Sequence, residues 1–146
     1  METSLATPYT VVSTRDLDAP RSLVFDAYVN PDKLVRWWGP AGFSMEVEEL
    51  DIRPGGHWRF TFTGPDGRTY KNHQIFAEID PPSRIVFDHQ THYRGTVTFD
   101  DLGKSTLVTM YWTFDPDEFP KVRDVVRQGN EENLDRLWAV VSEALT

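Results

Sequence analysis

The chain contains no cysteine among its 146 residues. That excludes a disulfide framework and thiol catalysis, and it removes the ligands of most structural zinc sites. No apolar run approaches the length of a bilayer span, and the first residues lack a basic-then-apolar leader pattern. No membrane insertion is therefore expected, and a cytoplasmic location is. Positive charge is also scarce: 15 Lys and Arg stand against 23 Asp and Glu, a formal net charge of −8. Such a field repels nucleic acid and anionic membranes, and the basic residues are too scattered to make a local patch. Missing too are a Walker loop, a dinucleotide-binding glycine turn, a calcium loop and a nucleophile elbow. The acidic pairs Glu48-Glu49 and Glu131-Glu132 read as solvated faces, because a catalytic carboxylate pair needs facing side chains at a defined separation.

What the chain does have is aromatic strand sequence. Residues 51–67 combine a Pro54-Gly55-Gly56 corner, an alternating run with Trp58, Phe60 and Phe62, and a Pro65-Asp66-Gly67 turn. Period-two alternation puts those three aromatics on one face and His57, Arg59 and Thr61 on the other. Such a strand suits the inside of a curved antiparallel sheet, and a container is the function it suggests.

The remaining elements follow from periodicity and punctuation. Residues 1–8 read as a polar tail and 9–146 as one domain. A strand over 9–17 precedes a helix from Pro20 to Asn30, and Asn30-Pro31 restarts a second short helix that Gly39-Pro40 stops. Six strands follow, over 44–52, 57–63, 69–79, 84–90, 95–100 and 105–114, with short links and a longer one through His92-Tyr93-Arg94. Val122, Val125, Val126, Leu134, Leu137, Trp138, Val141 and Leu145 recur at helical spacing. Gly129-Asn130 either breaks that last helix or lets it approach the sheet closely. The order strand, two helices, six strands, long helix reads as α+β, with the sheet wrapped around the C-terminal helix.

Parity gives an inward set of Trp58, Phe60, Phe62, Ile75, Ala77, Ile79, Ile85, Phe87, Val97, Phe99, Val108, Met110 and Trp112. Extending it brings in His73 and His89, near each other on neighbouring strands. Two histidines on an apolar face are either satisfied core residues or groups that orient a ligand. A metal site lacks support, since His89 and His92 do not share a face and no carboxylate completes a set. Acid/base work is chemically open to either imidazole, but no nucleophile is arranged to meet it. Of Trp37 and Trp38, one is expected as a core anchor, and the other either roofs the pocket or is simply exposed. Trp138 is the expected anchor of the helix on the sheet, and Tyr93 and Arg94 sit at the mouth of the longer link. The candidate ligand-binding residues are thus Trp37, Trp38, Trp58, Phe60, His73, Phe87, His89, Phe99, Met110, Trp112 and Trp138, with no catalytic residue, metal or cofactor implied.

Several motifs in order resemble the activator-of-heat-shock-protein-ATPase-like family. They are Arg15-Asp16-Leu17-Asp18-Ala19-Pro20, Val24-Phe25-Asp26-Ala27, Pro31 through Trp37-Trp38-Gly39-Pro40, and Asp51-Ile52-Arg53-Pro54-Gly55-Gly56. Pro65-Asp66-Gly67, Ile79-Asp80-Pro81-Pro82-Ser83-Arg84-Ile85-Val86-Phe87 and Asn133-Leu134-Asp135-Arg136-Leu137 continue the match. The resemblance implies a helix-grip fold in the START-related superfamily, whose members include the major birch pollen allergen and polyketide aromatase/cyclases. Relatives bind hydrophobic small molecules, some are enzymes and some bind a chaperone. Three functions follow as expectations. The first is binding of a hydrophobic or aromatic small molecule between sheet and helix. The second is a cyclase- or hydrolase-type reaction on such a ligand using His73 or His89, and the third is action on a chaperone or another protein partner. Self-association through the sheet edge or the helix is left open.

Overall fold

Alternation along the strands produces a seven-stranded antiparallel sheet in the order β1-β7-β6-β5-β4-β3-β2. The structure is a computed structural model and describes residues 6–90 and 93–145. Its elements are β1 (Thr10–Leu17), α1 (Arg21–Val29), α2 (Pro31–Leu34), β2 (Ser44–Leu50), β3 (His57–Thr63), β4 (Thr69–Asp80), β5 (Arg84–His89), β6 (Tyr93–Asp101), β7 (Thr106–Phe114) and α3 (Phe119–Glu143). Consecutive strands from β2 to β7 pair as neighbours, and β1 closes against β7 from the far edge. The sheet is curved, and α3 lies across its concave face.

Local chemistry fixes the ends of these elements. Asn30 caps α2 by accepting the Asp32 N–H on Oδ1 at 3.1 Å, with Pro31 at the first helical position. α2 ends at Leu34, earlier than the sequence suggests, and the chain continues in turns that carry Trp37 and Trp38 inward. At the Pro54-Gly55-Gly56 corner Gly55 takes a φ of 82°, and a Cβ on Gly56 would sit 2.0 Å from the Asp51 carbonyl oxygen. β6 starts at Tyr93, so Tyr93 and Arg94 belong to a strand and not to a connector. His92, in the same expected link, lies outside the described residues.

One strand departs from the expected parity. β4 is in register with β5 from Gln74↔His89 to Phe76↔Phe87, and again from Glu78↔Val86, with a bulge between Phe76 and Glu78. A bulge inserts one extra residue and so exchanges the faces on its two sides. Counting back from Ile79 with strict alternation therefore puts Ile75, Ala77 and His73 on the wrong face. Gln74 and Phe76 are the buried residues, and Ala77 is exposed.

Phe60, Phe87, Phe99, Met110, Leu134 and Leu137 are all less than 2% exposed and define the centre of the core. Trp58 binds the aromatic part together: it stacks on Phe76 at a ring separation of 5.7 Å and meets Trp38 at 5.0 Å and Phe87 at 5.5 Å. Gly95, opposite both Phe87 and Trp112, makes room for this cluster, because a Cβ there would lie 2.5 Å from the Phe87 ring. α3 runs unbroken through Gly129. Its second half buries Leu134, Leu137, Val140 and Val141, while Val122 and Val126 in the first half stay partly exposed.

Overpacking at Gly95 is a direct test of this core. Gly95→Ala should lower unfolding free energy by about 1–3 kcal/mol in urea denaturation, since the Phe87 ring must leave its place. A loss below ~0.5 kcal/mol, the range of neutral surface changes, would show that the ring is not locked there.

Candidate functional site

The first half of α3 stands over a hollow instead of packing onto the sheet. Val122, Val126, Gly129 and Asn133 recur at spacings of three and four, so they share one helical face, and all four line a cavity of about 700 Å³. Trp38 and the turn Gly39, Pro40, Ala41 form one wall; Phe62 from β3, Tyr93 from β6, and Trp112 and Phe114 from β7 form the floor. The volume falls within the range typical of small-molecule sites. Val125, 75% exposed, lies at the mouth. Gly129 lines the space, and a Cβ added to it would meet no atom within 4 Å. A glycine inside a helix costs about 1 kcal/mol relative to alanine, and here its missing side chain is open volume.

A polar clamp holds the wall in place. Arg136 on α3 donates from Nε to the Trp37 carbonyl at 3.2 Å, and from Nη2 to the Gly39 carbonyl and to Asn133 Oδ1, the last at 2.6 Å. Asn133 Oδ1 also accepts the Gly39 N–H at 3.1 Å. The guanidinium thus satisfies carbonyls that the short α2 leaves without helical partners. Below it, the Trp37 indole donates to the Ala27 carbonyl at 2.8 Å. Asn130, 3% exposed, donates from Nδ2 to Ser13 Oγ at 3.2 Å and also lines the cavity. Sequence reasoning missed Arg136, Asn133 and Asn130. Polar residues on the inner side of a helix that otherwise reads Leu-Leu-Val were the available signal.

The residues expected at the site divide into three groups. Trp38 and Trp112 line the cavity, with their rings 6.1 Å apart. Trp37, Trp58, Phe60, Phe87, Phe99 and Met110 are buried in the core behind the wall and do not line it, and Trp138 packs half-buried against the core further along α3. The third group is the histidines. His73 faces outward, a correction that follows from the β4 bulge: it pairs with Arg59, and its Nε2 lies 2.7 Å from His57 Nδ1. Desolvation, then the nearby Arg59 and His57, lower its pKa. His89 faces inward, with Nε2 2.9 Å from Asn72 Oδ1 and its ring stacked on Tyr93 at 5.3 Å. The two rings therefore belong to different hydrogen-bond networks. Both border a separate hollow of about 350 Å³ at the strand ends, with Glu48, Arg59, Lys71 and Gln90, and neither lines the larger cavity. Among the described residues no three histidine or carboxylate side chains converge as a metal site requires. Arg94 points outward and holds Asp88 through Nε at 2.7 Å and Nη2 at 2.9 Å, which lowers the Asp88 pKa.

Several buried polar groups surround this region. Tyr28 Oη, Trp58 Nε1 and both amide atoms of Gln74 have no hydrogen-bond partner among the described residues. Burial pushes the phenols of Tyr28 and Tyr93 far up from their ordinary range.

A curved sheet gripping a long helix over an open, largely apolar cavity defines a helix-grip protein. A family model described as "Activator of Hsp90 ATPase homolog 1-like protein" matches residues 18–142, and the chain belongs to that family. A crystal structure of a Chromobacterium violaceum protein is similar at 26% identity and a TM-score of 0.81, over 92% of this chain and 98% of that one. A solution structure of an Arthrobacter aurescens protein is 24% identical, with a TM-score of 0.86 over 97% of this chain and 90% of that one. The AHSA1-like protein from Aeromonas hydrophila is 19% identical, with a TM-score of 0.76 over 91% of this chain and 93% of that one. No curated protein matches the chain.

The Tyr28 phenol gives a pH test of the core beside the clamp. Its folded pKa is raised above the unfolded value of about 10, so its contribution is intact below pH 10 and is lost as pH rises further. Tyr28→Phe should match or exceed the wild type at pH 7, by up to ~1 kcal/mol for removing an unpartnered hydroxyl. It should also lose less stability than the wild type between pH 8 and pH 11 in urea denaturation. Equal alkaline losses in the two proteins would contradict the buried phenol.

Proposed function

We propose that residues 9–146 act as a binding domain for a hydrophobic or aromatic small molecule, held between the sheet and the first half of α3. The observation that carries this reading is the cavity of about 700 Å³ beneath Gly129, walled by Trp38, Trp112, Tyr93, Phe62 and Phe114. Burying one apolar side-chain-sized group contributes about 1.5–3 kcal/mol, so a ligand covering three or four such surfaces reaches micromolar affinity after the cost of association. Membership of a family whose fold commonly accommodates ligands or partners agrees with this. Among the described residues no helix is long and apolar enough to cross a membrane. Catalysis by His73 or His89 on a ligand in this cavity draws no support from the geometry, because neither imidazole lines it.

Gly129→Leu separates a cavity kept open for binding from one that is merely unfilled. The variant should be more stable by about 1 kcal/mol or more, from helix propensity and added apolar burial. It should also abolish the tryptophan-fluorescence change that an apolar probe such as 2-naphthylmethanol produces in the wild type through Trp38 and Trp112. A stabilised variant that still gives the wild-type response would place binding elsewhere and overturn the reading.

A further inference from the structure

The charge at the cavity mouth narrows the class of ligand. Among the described residues the lining includes three carboxylates, Glu118, Asp124 and Glu132, and no lysine or arginine. Asp124 is countered by Arg123 at 3.3 Å and Arg127 at 3.7 Å. The other two have no ion pair among the described residues: Glu118 stands at the N-cap position of α3, and Glu132 accepts only the Gln128 amide at 3.0 Å. Both are half-buried, so solvent screens them less than a fully exposed acid. Arg136, one turn beyond Glu132 on α3, keeps its charge but gives its hydrogen bonds to the Trp37 and Gly39 carbonyls and to Asn133. Deeper in the same lining, Asn130 is 3% exposed and gives its Nδ2 to Ser13. Its amide oxygen is a neutral acceptor that a ligand N–H or O–H could use.

An apolar, aromatic floor under a mouth with two carboxylates that form no ion pair among the described residues has a defined complement. Resting on the small-molecule reading above, we infer that the cavity takes a cationic amphiphile, an aromatic or aliphatic body carrying a protonated amine, and discriminates against carboxylate amphiphiles of the same shape. The body lies against Trp38, Trp112 and Tyr93, and the ammonium reaches Glu118 or Glu132, which stand at opposite ends of the mouth, about 21 Å apart along α3. A carboxylate ligand in the same pose meets a like charge and no cationic side chain in the described lining. Aromatic walls also attract cations and give no such benefit to anions.

The test compares three probes of one shape: 2-naphthylmethylammonium, neutral 2-naphthylmethanol and 2-naphthoate, titrated by isothermal calorimetry at pH 7 and low salt. The ammonium should bind about tenfold more tightly than the carboxylate, with the alcohol between them, and the gap should shrink as salt is added. In the double variant Glu118→Gln, Glu132→Gln the ammonium-to-alcohol affinity ratio should fall towards one. Binding of the alcohol with the carboxylate equal to or tighter than the ammonium would overturn the charge assignment and leave the cavity reading standing. Binding of none of the three to the wild type would overturn both.

Discussion

An antiparallel sheet with one apolar face must cover it; here α1 and the turn bearing Trp37 and Trp38 cover part of that face, and α3 packs on it along only half its length. The second half of α3 seats Leu134, Leu137 and Val141 in the core, while the first half spans the cavity with Val122, Val126 and Gly129. The other features follow from that division. The turn bearing Trp38 and Gly39 rests on α1 through Trp37, and the Arg136 clamp holds it on the α3 side with hydrogen bonds to main-chain carbonyls. The clamp sits where the two halves of α3 meet, so it fixes both the wall and the point at which packing gives way to open space.

The free-energy balance of this arrangement runs against stability. Glycine in mid-helix and an unfilled apolar hollow each forgo stabilisation that a larger side chain at position 129 would supply. Unpartnered buried groups at Trp58 and Gln74 add to the cost. Such concessions concentrate at functional sites, where an open or polar interior matters more than maximal packing. Here they gather on one side of the sheet, around and behind the same cavity.

Most of the fold is legible in the sequence because its signals are local. Asn30-Pro31 starts α2, Pro54-Gly55-Gly56 turns the chain, and alternation in β3, β5, β6 and β7 assigns the inner face correctly. β4 fails for a specific reason: a bulge has no side-chain signature in Phe76-Ala77-Glu78, and one extra residue moves His73 from the inner face to the outer. The site is less legible than the fold. Parity identifies inward residues but cannot tell a core position from a cavity wall, so Phe60, Phe87 and Met110 read the same as Trp112. That distinction depends on how far α3 stands from the sheet. The clearest sequence trace of it was Gly129, which fits an open space under the helix as well as a break or a close approach. Glu132 likewise reads as a solvated acid until the helix places it at the mouth.

The central claim is that the space under the first half of α3 is open and apolar, and xenon tests it without assuming a ligand. A crystal under xenon pressure should show the gas bound between Gly129 and the rings of Trp38 and Trp112, since apolar hollows in proteins take up xenon. If α3 instead lies collapsed on the sheet, with Val122 and Val126 filling the space and no xenon beneath them, the account is wrong.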